Sequence, residues 1–213
     1  MRQLSEVQLS ELQQDALAEI FNIGVGRAGS SLSLVVGSQI ELTAPAISLC
    51  PLDRIQENLH GLEFRQFSMV SQKFTGDFDS QAILIFPETN ALEIVRLMAG
   101  AVELSVEELS ELEQEAMCEV GNIILNACMS AVADLLEIAF SGTLPVHRFG
   151  DTCNTFLEAL GEESGDSMVL FLQVEMRISQ HRIQGHIVFL LSVTSLAALL
   201  QCLDAYLVKS GLQ

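Results

Sequence analysis

Residues 9–23 read LSELQQDALAEIFNI, and residues 109–123 read LSELEQEAMCEVGNI. At an offset of 100, nine of these fifteen positions are identical. Most of the rest are mild exchanges, such as Asp15 with Glu115, Leu17 with Met117 and Ile20 with Val120. Phe21 against Gly121 is the abrupt one. A repeat at fixed offset constrains the architecture before any finer reading, because each copy should fold into the same unit. The offset carries on to Pro45 and Pro145. A looser echo joins residues 81–98 (QAILIFPETNALEIVRLM) to residues 185–202 (GHIVFLLSVTSLAALLQC). Both read as an apolar strand, a short polar turn and an amphipathic helix.

Working outward, Ser10 and Ser110 each precede a periodic apolar run and have Gln13 or Glu113 three residues on. That is a capping-box pattern, so both serines predict helix starts. The first helix extends to about Val36 and stops at Gly37, and the second runs to about Glu137. Gly24, Gly26 and Gly29 weaken the first helix by up to about 1 kcal/mol each relative to Ala. Their clustering predicts close backbone packing against another element. Residues 39–49 and 139–149 read as extended segments, in which Pro45 and Pro145 predict an edge or a bend. Residues 64–86 and 167–191 alternate around turn signals and read as antiparallel hairpins. Final helices are expected near 89–99 and 194–208. The result is an α+β fold with a pseudo-twofold internal repeat, an antiparallel β-sheet and long helices. Each half of about 100 residues would bury little core alone. A single domain over 1–213 is therefore expected, fused from repeats of about 1–102 and 103–213, with no Gly/Ser-rich linker at the seam.

The chain has 213 residues, 49% of them apolar and 18% charged, which excludes a disordered polymer. Ten Lys and Arg face 28 Asp and Glu, a net charge of −18. So few cations exclude a phosphate backbone as a partner, and anionic lipid should repel the surface, so neither nucleic acid nor membrane is expected. Five irregularly spaced cysteines without a C-x-x-C pattern predict free thiols in a reducing compartment, and the cytoplasm is the expected location. Residues 183–203 lack charge, but interrupting polar residues make a buried strand, turn and helix a better reading than a membrane span.

Glu19 and Asn22 are three apart and share a helix face, which Asp15 joins four residues earlier. Glu115, Glu119 and Asn122 repeat the arrangement. Such a stripe is by itself the wet side of a helix. Yet Asn is a mediocre helix former and recurs mid-helix in both copies. A carboxylate can pair with a partner's lysine, and an amide can hold a water and donate to a phosphoryl oxygen. The four histidines (His60, His147, His181 and His186) show no ligand spacing, and no metal site is expected. The helices lack Glu-x-x-His, so a di-iron reading fails. Residues 24–29 (GVGRAG) match the letters of a dinucleotide fingerprint but lie inside a helix.

The sequence resembles the CheC/CheX/FliY family of response-regulator phosphatases of bacterial chemotaxis. That family's signature is Asp or Ser, three residues, Glu, two residues, Asn, twenty-two residues, Pro. Asp15, Glu19, Asn22 and Pro45 fit it, as do Glu119, Asn122 and Pro145; Glu115 departs from it. The doubled motif and the length are most like the two-site CheC type. The resemblance implies a hydrolase acting on the aspartyl phosphate of a CheY-like receiver. Asn22 and Asn122 would orient the attacking water, and Glu19 and Glu119 would pair with the receiver's lysine. No cofactor of its own is implied; Mg²⁺ is expected in the phosphorylated receiver. The alternative is a non-catalytic adaptor that binds a receiver, a CheD-like deamidase or a flagellar switch component.

Overall fold

The computed structural model describes residues 8–54, 66–100, 105–150, 167–178 and 181–212. The elements run in the order α1 (Glu11–Val36), β1 (Ile40–Pro51), a 3₁₀ turn (Leu52–Arg54), β2 (Phe67–Gly76), β3 (Ser80–Pro87) and α2 (Glu88–Ala99). They continue with α3 (Val106–Leu136), β4 (Phe140–Gly142), β5 (Val146–Gly150), β6 (Ser167–Ile178), β7 (His181–Ser192) and α4 (Val193–Lys209).

Both hairpins and both final helices stand where hydrophobic patterning predicts them. Ser10 caps α1 in a reciprocal box with Gln13, and Gly37 ends it in the left-handed region at φ 67°. The second helix corrects the sequence reading. Its cap is Ser105, boxed with Glu108, so α3 starts five residues earlier than α1 does on the repeat offset, and Ser110 lies inside the helix. A second capping box five residues upstream, Ser105-x-x-Glu108, outcompetes the repeated one because it adds more than a turn of helix.

The described strands form one antiparallel sheet in the order β1-β6-β7-β3-β2, with β4 and β5 end to end along the far edge of β2. The halves interleave. β1 lies on β6 of the second half, and β4 and β5 lie on β2 of the first. The two hairpins meet in the middle through β3 and β7. Alternation divides β3 cleanly: Ala82, Leu84 and Phe86 join the large core beneath the helices, and Ile83 and Ile85 join a smaller cluster on the opposite face. β7 divides the same way, with Ile187, Phe189 and Leu191 against Val188 and Leu190.

Helices α1 and α3 pack against each other over the large core. Two of the three clustered glycines explain how closely α1 is packed. A Cβ on Gly24 would lie 2.7 Å from the Cα of Cys128 on α3, and one on Gly29 would lie 3.1 Å from the carbonyl oxygen of Ile40 on β1. Gly26 faces open space, so the packing expectation fails at that position. The repeat's one abrupt exchange also has a packing reason. Phe21 stacks on Phe189 of β7 with ring centroids 5.0 Å apart, whereas a Cβ on Gly121 would lie 2.4 Å from Val70 on β2. One helix reaches the sheet through a ring, the other by direct approach.

The uncharged stretch 183–203 divides into β7 and the start of α4, as expected. Among the described residues, the one helix long and apolar enough to cross a membrane by composition is Leu112–Leu136, and half of its most apolar window is buried within the fold.

Candidate functional site

On α1, Asp15 and Glu19 are exposed and Asn22 is half-buried. The Asn22 side-chain oxygen accepts a hydrogen bond from the backbone N–H of Ala44 at 3.0 Å. This contact accounts for the spacing of Asn22 and Pro45. β1 is an edge strand, and its pairing with β6 shifts register between Thr43 and Ala46. Proline has no N–H to give the ladder, and it holds the residue before it in an extended conformation. Within that break the Ala44 N–H meets the helix. Gln14 reinforces the junction by donating to the Ile47 carbonyl at 3.0 Å.

On α3, Glu115 and Glu119 are exposed and Asn122 is half-buried, matching the first copy. Pro145 falls in the break between β4 and β5, so both prolines sit where an edge of the sheet is interrupted beside a helix. Glu115, Glu119, Asn122 and Pro145 line a groove of about 650 Å³. Its walls are apolar: Val95 and Met98 from α2, Leu112 from α3, and Leu144, which is 86% exposed. The two copies thus bring Glu, Asn and a proline-marked bend together at opposite edges of the sheet.

The tether on Asn122 differs from that on Asn22. The Asn126 side-chain amide, one turn later, donates to the Asn122 side-chain oxygen at 2.8 Å and to the Asn122 backbone carbonyl at 2.7 Å. Asn126 in turn meets Gln72 of β2, whose Nε2 donates to the Thr143 carbonyl at 2.7 Å. Sequence reasoning missed Asn126 and Gln72. The available signals were an asparagine at i+4 from Asn122 and a glutamine inside the strand 67–76, three residues after Met69.

A second polar cluster lies nearby. Glu113 on α3 is 3% exposed, and its Oε1 stands 3.8 Å from His147 Nε2 on β5. The same nitrogen is 2.7 Å from the hydroxyl of Ser68, which is fully buried. This is not a catalytic triad. A triad places the acid on Nδ1 and the serine on Nε2, and its serine must reach substrate. Burial raises the Glu113 carboxyl above its ordinary range and lowers the His147 imidazole, so both are held toward their neutral forms. Cys128 is buried between the helices with its thiol pushed up to about 12, which makes it an inert core residue. Cys118 is half-buried, with its sulfur 3.9 Å from the Pro145 carbonyl oxygen. His60 and Cys153 lie outside the described residues, and among the described ones no three His, Cys, Asp or Glu side chains gather as a metal site.

No family model matches the chain. It is 24% identical over 204 residues to the CheY-P phosphatase CheC of Bacillus subtilis, covering 93% of this chain and 97% of CheC. It is 24% identical over 139 residues to the flagellar motor switch phosphatase FliY of the same organism, covering 65% of this chain and 35% of FliY. Among solved structures, Thermotoga maritima FliY superposes with a TM-score of 0.71 at 18% identity, covering 93% of this chain and 98% of that one. The middle domain of FliM from H. pylori superposes at 0.63 and 14% identity, covering 91% and 99%. CheX in a CheX–CheY–BeF₃–Mg²⁺ complex from Borrelia burgdorferi does so at 0.53 and 18% identity, covering 82% and 97%. The α+β sheet-and-helix architecture is therefore that of FliY, FliM and CheX, and in sequence this chain resembles the chemotaxis phosphatases CheC and FliY.

Proposed function

We propose that the chain hydrolyses the aspartyl phosphate of a CheY-like receiver in chemotaxis signalling, from two faces, in the cytoplasm. The observation that carries this reading is common to both copies. An exposed glutamate stands one turn before a half-buried asparagine whose side-chain oxygen is already tethered by the scaffold. Tethering the oxygen leaves the NH₂ of each amide as the directed polar group, together with the second lone pair of the oxygen. Docked on a receiver, Asn22 or Asn122 would hold a water in line with phosphorus, and Glu19 or Glu119 would pair with the receiver's lysine. The water oxygen bonds to phosphorus and the acyl-phosphate P–O bond breaks. Inorganic phosphate and a free aspartate carboxylate result, and the water proton passes to phosphate or solvent. The receiver brings the Mg²⁺ that neutralises the phosphoryl oxygens.

An acyl phosphate is already labile, so positioning is the main requirement. Ordering one water supplies a factor on the order of a hundred. No nucleophile from this chain is needed.

The test is phosphate release from a phosphorylated receiver, comparing wild type, Asn22→Ala, Asn122→Ala and the double variant. Each single variant should lose the share contributed by its face. The double variant should fall on the order of a hundredfold, to the receiver's own decay. Wild type that adds nothing to that decay would overturn the enzyme reading. Retained receiver binding in the same preparation would then favour the adaptor.

A further inference from the structure

We infer that Asn126, backed by Gln72, is the positioning residue of the second face alone: it fixes which end of the Asn122 amide meets substrate. The inference rests on the phosphatase reading and adds to it a residue that the repeated motif does not contain.

The polarity of the network is forced by two backbone carbonyls, which can only accept. The Gln72 amide nitrogen must face the Thr143 carbonyl, 2.7 Å away. Its oxygen therefore faces Asn126, where the Asn126 nitrogen stands 3.3 Å away. That same nitrogen is 2.7 Å from the Asn122 backbone carbonyl, so it too is a donor by necessity. The Asn122 side-chain atom 2.8 Å from it must then be the oxygen. The orientation of Asn122 is thus dictated by Asn126, which the Asn122 backbone carbonyl fixes and which is braced from the loop before Leu144 through a glutamine that is 3% exposed. The network is tightly enclosed: a Cβ on Gly142 would lie 3.0 Å from the Gln72 nitrogen and 3.4 Å from the Asn126 oxygen.

Among the described residues, the first face has nothing equivalent. The residue matching Asn126 at the repeat offset is Gly26, which faces open space, and Asn22 is tethered by the Ala44 backbone instead. A side-chain substitution can therefore release the second amide without touching the first.

The experiment uses Asn126→Asp, which keeps the shape but replaces the donor by an acceptor facing the Asn122 oxygen. It is placed in the Asn22→Ala chain, where only the second face works, and in the Asn122→Ala chain, where only the first works. Phosphate release from phosphorylated CheY-like receiver is measured against receiver concentration. In the first background kcat should fall at least about tenfold with KM within about twofold, the loss expected when a water-orienting group is misplaced. In the second background both constants should stay within about twofold. Unchanged kcat in the Asn22→Ala chain would overturn the proposal, as would a rise in KM alone or an equal loss on both faces. Should the Asp variant fail to fold, Asn126→Ala, which removes the donor, is scored the same way. If the wild-type chain releases no phosphate at all, the phosphatase reading fails instead. The tether is then read directly: the Asn122 side-chain amide resonances should shift in Asn126→Asp, and unchanged resonances would overturn it.

Discussion

Asn22 and Asn122 occupy equivalent places in the repeat, yet one amide is gripped by main chain and the other by side chains. Single glycines decide comparable matters in the core. Gly24→Ala would press a methyl to within 2.7 Å of the Cys128 backbone, and only a shift of α1 against α3 could relieve it. Overpacking of this kind costs about 1–3 kcal/mol, so Gly24→Ala should lower the melting temperature by several degrees. Gly26→Ala, in open space on the same helix, should be neutral or slightly stabilising in the same measurement. His186 is buried against Phe171, with ring centroids 5.0 Å apart, and burial lowers its pKa to about 4. From pH 6.5 downward the unfolded chain takes up a proton there that the folded chain refuses until about pH 4. Stability supplied by the neutral ring is complete above pH 6.5 and is lost by up to about 3 kcal/mol as the pH falls to 4. Lowered His147 has the same sign, and raised Glu113 has the opposite one, since its folded form gains stability on protonation. His186→Phe should therefore flatten the denaturant midpoint between pH 6.5 and 4.

Elements were legible wherever their cause is local. The span of α1, the two hairpins and the short helices α2 and α4 follow from periodicity, a capping serine and a stop glycine, all close in sequence. The start of α3 was misread because two capping boxes stand five residues apart, and choosing between them requires knowing what covers the intervening turn. Glu113 shows the consequence. Its counterpart Gln13 caps a helix, whereas Glu113 is buried beside Ser68 and His147. Ser105→Ala and Ser10→Ala should each cost about 1 kcal/mol, measured as a lowered unfolding midpoint. In the candidate site, the roles of Glu19, Asn22, Glu119 and Asn122 are implied by the family resemblance, and their shared helix faces are readable from spacing. The network through Asn126, Gln72 and Thr143 is not, since it joins residues 54 and 71 positions apart. Local pattern carries no information about such pairs.

At the scale of the whole molecule, the two helix faces stand at opposite edges of one sheet, each beside the edge strands of its own half. Each edge strand, in turn, lies against the other half's hairpin. The repeat predicts two copies of a unit and is silent on this exchange, because either arrangement satisfies the same alternation of apolar and polar residues. Under the proposed phosphatase reading, the net charge of −18 would oppose docking on an acidic surface, and a cation meeting Glu19 or Glu119 would offset it. Added salt should accordingly alter the apparent KM of phosphate release more than its kcat.

The exchange of strands also sets a timetable for synthesis. Ile40 pairs with Ile178, and Pro51 with Met168, so the first strand to leave the ribosome meets its neighbour only after more than a hundred further residues have been translated. At roughly 5–20 residues per second that is a wait on the order of ten seconds. Throughout it β1 has an unpaired edge, and its broken register and proline make that edge a poor template for a stray chain.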